Sequence, residues 1–350
     1  MSRKLSRDYA EGKNMETNIQ QIAQKRANPQ KNESAILDTL AQLRKSSKST
    51  LKKRAVAKYL TNETCLPLAD LDSELKKSYW NTFHCSSQLI QNGKKITGKY
   101  CNNRWCIVCN RIRTAKLIKG YLPAIKNEIV SPFFVTLTVP NVGGADLKAT
   151  VRQMIVSFRR ISDVFRHKRR ELRGIRKIEC TYNARENSFH PHFHFLIDGR
   201  EAADELVSAW LRVYPEAVRQ AQDIRPADEG SFIELFKYTT KLVTKSDIAR
   251  EGGKAEINIY PEALDIIFKA LYRIRTFQPF GGISKVPASE DVEEIQSEEF
   301  DDLSALTVDI WGWVQPISDW VSADGELLTD CDAHRRYRVI GQRIKPNLRL

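Results

Sequence analysis

The chain has 350 residues, 41% of them hydrophobic, with 56 Lys and Arg against 43 Asp and Glu and a formal net charge of +13. This length suffices for two or three domains with a substantial core, and no apolar run approaches the ~20 residues of a membrane span. The basic balance favours nucleic acid or another anionic partner over a neutral one.

The predicted elements begin with a basic N-terminal part. Residues 1–33 are polar and charged, and a helix with one apolar and one basic face is predicted from Ala35 to about residue 60. Residues 1–60 hold 14 Lys and Arg against 5 acids, whereas 285–330 hold 1 against 13. We therefore expect the N-terminal and middle parts to meet the anionic partner.

Four cysteines follow in "FHCSSQLIQNGKKITGKYCNNRWCIVCNRIR", before a helix predicted near 110–129. Their spacing is C-x15-C-x4-C-x2-C: Cys85, Cys101, Cys106 and Cys109. The start of the chain lacks the apolar core of a secretory signal, so we expect a cytoplasmic protein whose spaced cysteines bind metal. A C-x2-C pair opening a helix fits a structural Zn²⁺ site, with His84 as a possible substitute for Cys85 and buried free thiols as the alternative. Arg104 and Arg111 beside the cluster are expected to face DNA.

The segment from 132 to 246 has the order β-α-β-β-α-β followed by a helix. Strands are predicted at 132–140, 174–183, 190–198 and, weakly, within 216–225; helices are predicted at 144–172, 201–214 and 230–246, the last with Ser231 as N-cap. This is the split βαβ order of ferredoxin-like and RNA-recognition-type sheets. We expect an α+β fold in which an antiparallel sheet carries helices on one face. A further helix is predicted over 260–277.

In "HPHFHFLID", His192 and His194 alternate with Phe193 and share one face of the strand, about 6.6 Å apart along it. If the two neighbouring strands pair so that residue numbers sum to about 371, Glu179 lies opposite His192. Two imidazoles and a carboxylate suit Mn²⁺ or Mg²⁺, and equally Zn²⁺ or Ni²⁺. The alternative is a half-exposed strand whose histidines are merely polar. His190 shares the face and is a candidate for orienting a ligand imidazole.

In "FIELFKYTTKLVTK", Glu234, Tyr238 and Lys241 lie at i, i+4 and i+7 and share one helical face. Alone, this pattern also suits a surface ion pair beside a core tyrosine. Beside a metal site it suits phosphodiester cleavage, because a metal that stabilises the leaving 3′-oxygen compensates for a phenol with an ordinary pKa near ~10. We expect Tyr238 to form a 5′-phosphotyrosine, Lys241 to favour the phenolate or neutralise the phosphate, and Glu234 to act as general base in release.

Three segments in this order, "FFVTLTVPN", "HPHFHFLI" and "ELFKYTTK", resemble the motifs of the HUH endonuclease superfamily. More narrowly, they resemble the single-tyrosine rolling-circle plasmid replication initiators, the Rep family, over roughly 80–250. The resemblance implies that His192 and His194 hold a divalent metal, that Tyr238 nicks the origin, and that Glu234 serves the terminating cleavage with Lys241 nearby. It also implies single- and double-stranded origin DNA as partners, with a host helicase as a further possible one. No membrane partner is expected.

A basic run over 147–177 holds 11 Lys and Arg against 2 acids. Its candidates for phosphate contact are Arg159, Arg160, Lys168, Arg169 and Arg170. The organisation expected from these features is a basic helical arm (1–80), a zinc module (81–130), a nuclease core (131–250) and a helical, acidic extension (251–350). The alternatives are a zinc-stabilised DNA-binding regulator without catalysis, and an HUH transposase or relaxase, although relaxases usually place the tyrosine before the histidines.

Overall fold

A computed structural model describes residues 47–92, 95–236, 248–251, 253–284 and 309–344. Beyond the first turn of the first helix, these residues belong to one compact unit, Leu51–Leu350. The expected N-terminal arm, Tyr238, Lys241 and the acidic stretch around 290–302 lie outside the described residues. No helix in the described part is long and apolar enough to cross a membrane.

The described helices and strands alternate along the chain. The helices are α1 Ser47–Ala69, α2 Lys76–Phe83, α3 Ile107–Glu128, α4 Gly144–His167, α5 Arg200–Val213, α6 Glu229–Phe236, α7 Pro261–Leu271 and α8 Ala333–Arg336. The strands are β1 Gln88–Asn92, β2 Lys95–Gly98, β3 Pro132–Thr138, β4 Gly174–Asn183, β5 Ser188–Asp198, β6 Asp223–Pro226, β7 Ile248–Glu251, β8 Lys254–Ile259, β9 Phe277–Phe280, β10 Asp309–Val314, β11 Asp319–Val321 and β12 Tyr337–Gly341. The predicted α+β class is confirmed.

The central sheet has five strands in the order β6-β3-β5-β4-β9, and every neighbouring pair is antiparallel. Strand β5 is therefore the middle strand, and its neighbours β3 and β4 both precede it in sequence. A strand paired on both sides has its backbone groups satisfied and its side-chain directions fixed. Residues on β5 are consequently held by two ladders.

The β4–β5 hairpin has the predicted register, with Glu179 opposite His192. Its turn is built by Asn183, whose side-chain oxygen accepts from the backbone N–H groups of Arg185 and Glu186 at 3.0 and 3.4 Å. Asn187 adopts a left-handed conformation with φ of 48°, which asparagine tolerates better than most residues. This local chemistry fixes which side chains of the two strands face each other.

One face of the sheet carries the main core. Phe193 and Phe195 of β5 are buried against Phe158 of α4, with ring centroids 6.1 and 5.0 Å away. Trp210 of α5 packs edge-on against Phe193 at 5.8 Å and donates to the backbone carbonyl of Thr138 at 2.8 Å. Both helices show the apolar stripe that such packing requires.

The prediction that helices cover only one face is wrong. On the opposite face, Phe134, Ile175 and Leu196 form a second buried cluster with residues of α3 and α6. These three side chains are apolar, and leaving them in water would forfeit about 1.5–3 kcal/mol each. The helices cover that end of the face and leave its polar end to the site described below.

Several strands were missed by the sequence interpretation. The predicted helix over 260–277 ends at Leu271, after which Arg273 takes a left-handed φ of 58° and β9 joins the edge of the sheet. In the C-terminal part, expected to be helical and acidic, β10 pairs with β1 and β12 runs parallel to β8. The segment at 309–341 therefore shares sheets with earlier parts of the chain. The four-part domain division stays a prediction.

Candidate metal and nucleic-acid site

The structure brings Glu179, His192 and His194 together on the polar end of the second face. The carboxylate oxygen Oε2 of Glu179 lies 3.6 Å from Nε2 of His192 and 3.8 Å from Nε2 of His194. All three side chains are buried, and one donor atom from each lies within 4.8 Å of the others. Both imidazoles thus aim the same ring nitrogen at one carboxylate.

The other ring nitrogen of each histidine has a partner. Nδ1 of His192 lies 3.0 Å from the backbone carbonyl of His190, and Nδ1 of His194 lies 3.2 Å from Oγ1 of Thr136. A carbonyl only accepts, so His192 carries its proton on Nδ1 and directs the Nε2 lone pair at the site. This is the tautomer of a metal-ligating imidazole. The donor set therefore fits a divalent cation.

A buried lysine, Lys177, completes the charge balance of this cluster. Lys177 lies two residues before Glu179 on the same face of β4, forms an ion pair with its carboxylate, and donates to the backbone carbonyl of Glu234 at 2.6 Å. Burial opposes ionisation of Glu179, yet the neighbouring His192 and the charge of Lys177 hold the pKa of this carboxyl well below its usual range. Glu179 is therefore a carboxylate ready to bind a cation.

Glu234 reaches the same cluster from helix α6. Its Oε1 lies 3.6 Å from Nε2 of His194, and its Oε2 lies 3.4 Å from Arg225 on β6. The Glu234 side chain is 36% exposed, so water can reach it. Arg225 in turn lies over the ring of Phe134, 4.5 Å from its centroid. Tyr238 and Lys241, predicted on the same helical face, lie outside the described residues.

The N-cap of helix α6 lies three residues earlier than predicted. Asp228, not Ser231, is the N-cap: its Oδ1 accepts from the backbone N–H of Ser231 at 2.8 Å, while Oγ of Ser231 accepts from the N–H of Asp228 at 3.3 Å. This reciprocal pair is a capping box. Hydrogen bonds from Ser231 lower the pKa of the Asp228 carboxyl. The cap fixes the direction in which α6 carries Glu234 towards the sheet.

His190 lies beside the cluster but points to a different partner. Its ring stacks on that of His192 at 5.2 Å, and its Nδ1 lies 2.9 Å from Oδ1 of Asn141. Burial and the neighbouring His192 lower its pKa to about 4. It contacts the imidazole of His192 through its backbone carbonyl and its ring face.

The four cysteines of the spaced motif also converge. Their sulfur atoms lie within 4.8 Å of one another, with Sγ of Cys109 3.5 Å from that of Cys85 and 3.7 Å from that of Cys101. Cys106 caps α3, its sulfur accepting from the N–H of Cys109 at 3.4 Å. N–H groups of Cys101 and Asn103 also point at cluster sulfurs, at 3.4 Å each. Four convergent sulfurs with N–H donors fit a tetrahedral Zn²⁺ site.

The alternative ligand His84 packs edge-to-face against Phe83, with ring centroids 5.3 Å apart, and is not a member of the four-residue donor group. A second buried lysine, Lys58, lies under the cysteines and was not predicted. Its Nζ donates to the backbone carbonyl of Phe83 at 2.5 Å and to Asn62 at 3.0 Å. Burial lowers its pKa to about 8, opposed by the negative potential of the cysteines. A cation here suits a cluster of thiolates.

The basic residues predicted to bind DNA fall into two groups. Arg104 and Arg111 donate to backbone carbonyls of Ile274 and Lys53, so each helps to hold the fold. The others are exposed on α4 or just after it: Arg159, Arg160, Lys168, Arg169 and Arg170. Arg170 pairs with Glu205 at 2.6 Å. Because α4 packs on Phe193 and Phe195, this basic stripe lies across the sheet from Glu179 and the two histidines.

Sequence reasoning found the donor residues but missed Lys177, which contacts Glu179, and Arg225, which contacts Glu234. Lys177 had an available signal, because it precedes Glu179 by two residues in "RKIECTY" and must share its strand face. Arg225 had none, since only the pairing of β6 with β3 brings it over Phe134.

The chain is similar to known replication proteins. A family model described as "Replication protein" matches residues 93–199. The protein "Protein rep" of Streptococcus pneumoniae serotype 2 is 28% identical over 208 residues, covering 53% of this chain and 61% of that protein. "Protein rep" of Staphylococcus aureus is 28% identical over 196 residues, covering 47% of this chain and 82% of that protein.

"Protein rep" of a Bacillus species is 32% identical over 220 residues, covering 50% of this chain and 69% of that protein. The chain thus spans about three fifths of the length of the Streptococcus relative and about two thirds of the Bacillus one. No solved structure matches the chain significantly.

Proposed function

Because this chain belongs to the replication protein family, that of the plasmid rolling-circle replication initiators, we propose that it nicks one strand of DNA at a plasmid origin. The nick leaves a covalent 5′-phosphotyrosine, and a later strand transfer rejoins the ends and releases the protein. The observation that carries the proposal is the convergence of two structural elements. Helix α6 brings Glu234 to within 3.6 Å of His194, a residue of the buried His-His-Glu set on the sheet.

The nucleophile in this proposal is Tyr238, four residues after Glu234. Its phenolic oxygen bonds to the phosphorus of the scissile phosphodiester while the bond from phosphorus to the 3′-oxygen breaks. The phenolic proton leaves to a base, the 3′-oxygen takes up a proton, and the bond energy is kept in the phosphotyrosine. A divalent ion held by Glu179, His192 and His194 would polarise the phosphate and stabilise the leaving oxygen. Lys241 would neutralise charge on the phosphate.

Release uses Glu234 as general base. A carboxylate that is partly open to water and adjacent to the metal set is placed to take a proton from a water or from a 3′-hydroxyl that attacks the phosphotyrosine. Arg225 holds the other carboxylate oxygen of Glu234 and so orients it.

The proposal also covers the topology of the sheet, the bound metals and the partners of the protein. The strand order β6-β3-β5-β4 supports a split βαβ arrangement of the sheet, to which β9 adds an edge. Mn²⁺ or Mg²⁺ is proposed for the His-His-Glu set, and structural Zn²⁺ for the four cysteines. We place the protein in the cytoplasm with origin DNA as its partner, and include a host helicase as a further partner of the replication complex.

The test is a nicking assay on a supercoiled plasmid carrying the cognate origin, with Mn²⁺ or Mg²⁺, followed by a denaturing gel. Tyr238→Phe should abolish nicking and the covalent adduct while leaving origin binding unchanged. Tyr272→Phe, a matched change at a tyrosine that is 50% exposed, should nick normally. His192→Ala should also abolish nicking.

Adduct formation by the Tyr238→Phe variant would remove the proposed nucleophile. Wild-type protein that binds its origin without nicking it in any divalent metal would favour the non-catalytic regulator. Strand transfer between unrelated DNA molecules would favour a transposase.

A further inference from the structure

Arg176 is a buried arginine on the face of the sheet that lies opposite the metal set. It immediately precedes Lys177 on β4, so its side chain points the other way, towards α4. Only 2% of its surface is exposed. Lys177 has the carboxylate of Glu179, but no carboxylate in the described part of the chain pairs with Arg176. A charged group in such a position requires an explanation.

The guanidinium of Arg176 is only partly satisfied. Its Nη2 donates to the side-chain oxygen of Gln278 at 2.6 Å and, at 3.5 Å, to the backbone carbonyl of Arg275. Its carbon lies 5.2 Å from the ring centroid of Phe193 and 5.7 Å from that of Phe158, so two aromatic faces support it. Its Nε and Nη1 are buried and have no hydrogen-bond partner among the described residues.

Its neighbours add to the positive charge. Burial, together with the charges of Arg159 and Arg275, lowers the pKa of Arg176 to about 10, so it remains protonated at neutral pH. Both neighbours are exposed, Arg159 on α4 and Arg275 just before β9. Removing a guanidinium from water without an anionic partner is strongly unfavourable. The two cation–π contacts offset only part of that cost.

We propose that Arg159, Arg176 and Arg275 form an anion site that binds a backbone phosphate of the DNA. Arg176 provides the buried positive charge under the site, and one of its two unpaired donors, Nε or Nη1, would donate to a phosphate oxygen. Arg159 and Arg275 provide its exposed rim. The choice of DNA over a free anion rests on the proposed function and on continuity with the basic stripe of α4, which includes Arg159 and Arg160.

The site has a consequence for how DNA approaches the protein. It lies on the α4 face of the sheet, whereas nicking would take place on the Glu179 face. A phosphate bound by Arg176 therefore belongs to a part of the DNA away from the scissile bond. We infer that origin DNA contacts the edge of the sheet at β9 and reaches both faces.

The experiment compares two double variants of the full chain. Arg159→Ala with Arg275→Ala removes the rim, and the control Lys148→Ala with Arg152→Ala removes the same charge from exposed positions near the start of α4. Thermal unfolding is followed with and without inorganic phosphate. Binding to an origin duplex is followed by fluorescence anisotropy over a series of KCl concentrations.

Phosphate should raise the melting temperature of the wild type and the control but not of the rim variant. The slope of log K against log salt should fall by about 1 in the rim variant beyond any change in the control. Arg176→Met should still fold, because a flexible apolar chain fits between Phe158 and Phe193, and it should also lose the phosphate response.

Equal responses to phosphate in all proteins would overturn the site. The rim variant could instead lose its response to phosphate while its DNA affinity and salt slope equal those of the control. The site would then bind a free anion, and the proposal that it binds DNA would be wrong. Neither readout requires nicking. The Tyr238→Phe protein should therefore keep the wild-type slope, so that failure of the site and failure of the proposed chemistry can be told apart.

Discussion

Replacing Lys177 with methionine should make the folded protein unusually dependent on a divalent cation. Lys177 is 4% exposed and Glu179 is 2% exposed, so their ion pair is out of water. Breaking a buried pair by removing one partner costs about 3–5 kcal/mol, because the remaining charge stays buried. Methionine fills most of the volume of lysine, so little of the loss would come from a cavity.

A divalent cation bound by Glu179 and the two histidines should restore much of this loss. In the wild type, Lys177 and the cation both neutralise the charge of Glu179. Each therefore reduces the amount by which the other stabilises the folded state. In Lys177→Met the cation is the only neutralising charge beside Glu179. Ligand at 100 times its dissociation constant stabilises the folded state by about 2.7 kcal/mol. We therefore expect a larger stabilisation by Mn²⁺ in the variant than in the wild type.

The assay is urea unfolding in EDTA and in a series of MnCl₂ concentrations. The variant should be less stable by about 3–5 kcal/mol in EDTA and closer to the wild type in saturating Mn²⁺. Lys177→Arg, which keeps the charge, should behave more like the wild type, and Lys148→Met, at an exposed site, should change little. Equal stabilisation of wild type and Lys177→Met by Mn²⁺ would refute the idea that Lys177 and the metal share Glu179.

Two further predictions concern residues around the two candidate metal sites. Arg225→Met should slow the terminating strand transfer by about 10-fold while adduct formation changes less, because Arg225 orients Glu234. Single-turnover kinetics measure the rates of the two steps, and equal slowing of both would contradict the prediction. Cys106→Ser should lose bound zinc, measured by atomic absorption, and should unfold at a lower temperature by about 2–4 °C per kcal/mol lost. The control Cys331→Ser, at a buried cysteine outside the cluster, should keep its zinc.

The sequence alone predicted those features of the structure that depend on a local residue pattern. The alternation of His192, Phe193 and His194 and the short turn at 184–187 fixed both the strand face and the partner Glu179. The helices α4 and α5 follow from apolar periodicity and end within a few residues of their predicted limits. In each case the relevant residues are close in sequence.

Other features depend on distant residues, and the sequence could not supply them. Strand β10 is six residues long and pairs with β1, more than 200 residues earlier. Short strands with such partners carry little periodic signal. The contact of Arg225 with Glu234 likewise requires that β6 pair with β3 while α6 returns over the sheet. Propensity and periodicity do not encode which distant segments meet.

The two faces of β4 explain why its register must be exact to one residue. Arg176 and Lys177 are adjacent cations that point in opposite directions, one beneath Phe158 and the other beside Glu179. A slip of one residue would exchange the faces. It would place a guanidinium against the histidines and leave Glu179 in an aromatic core with no cation.

The packing of Phe193 and Phe195 under α4 and the turn at Asn183 exclude this slip, because each stabilises only one register. The apolar core on one face therefore fixes the metal donors on the other. A substitution such as Phe193→Ala, distant from any reacting group, should disturb cation binding as well as stability.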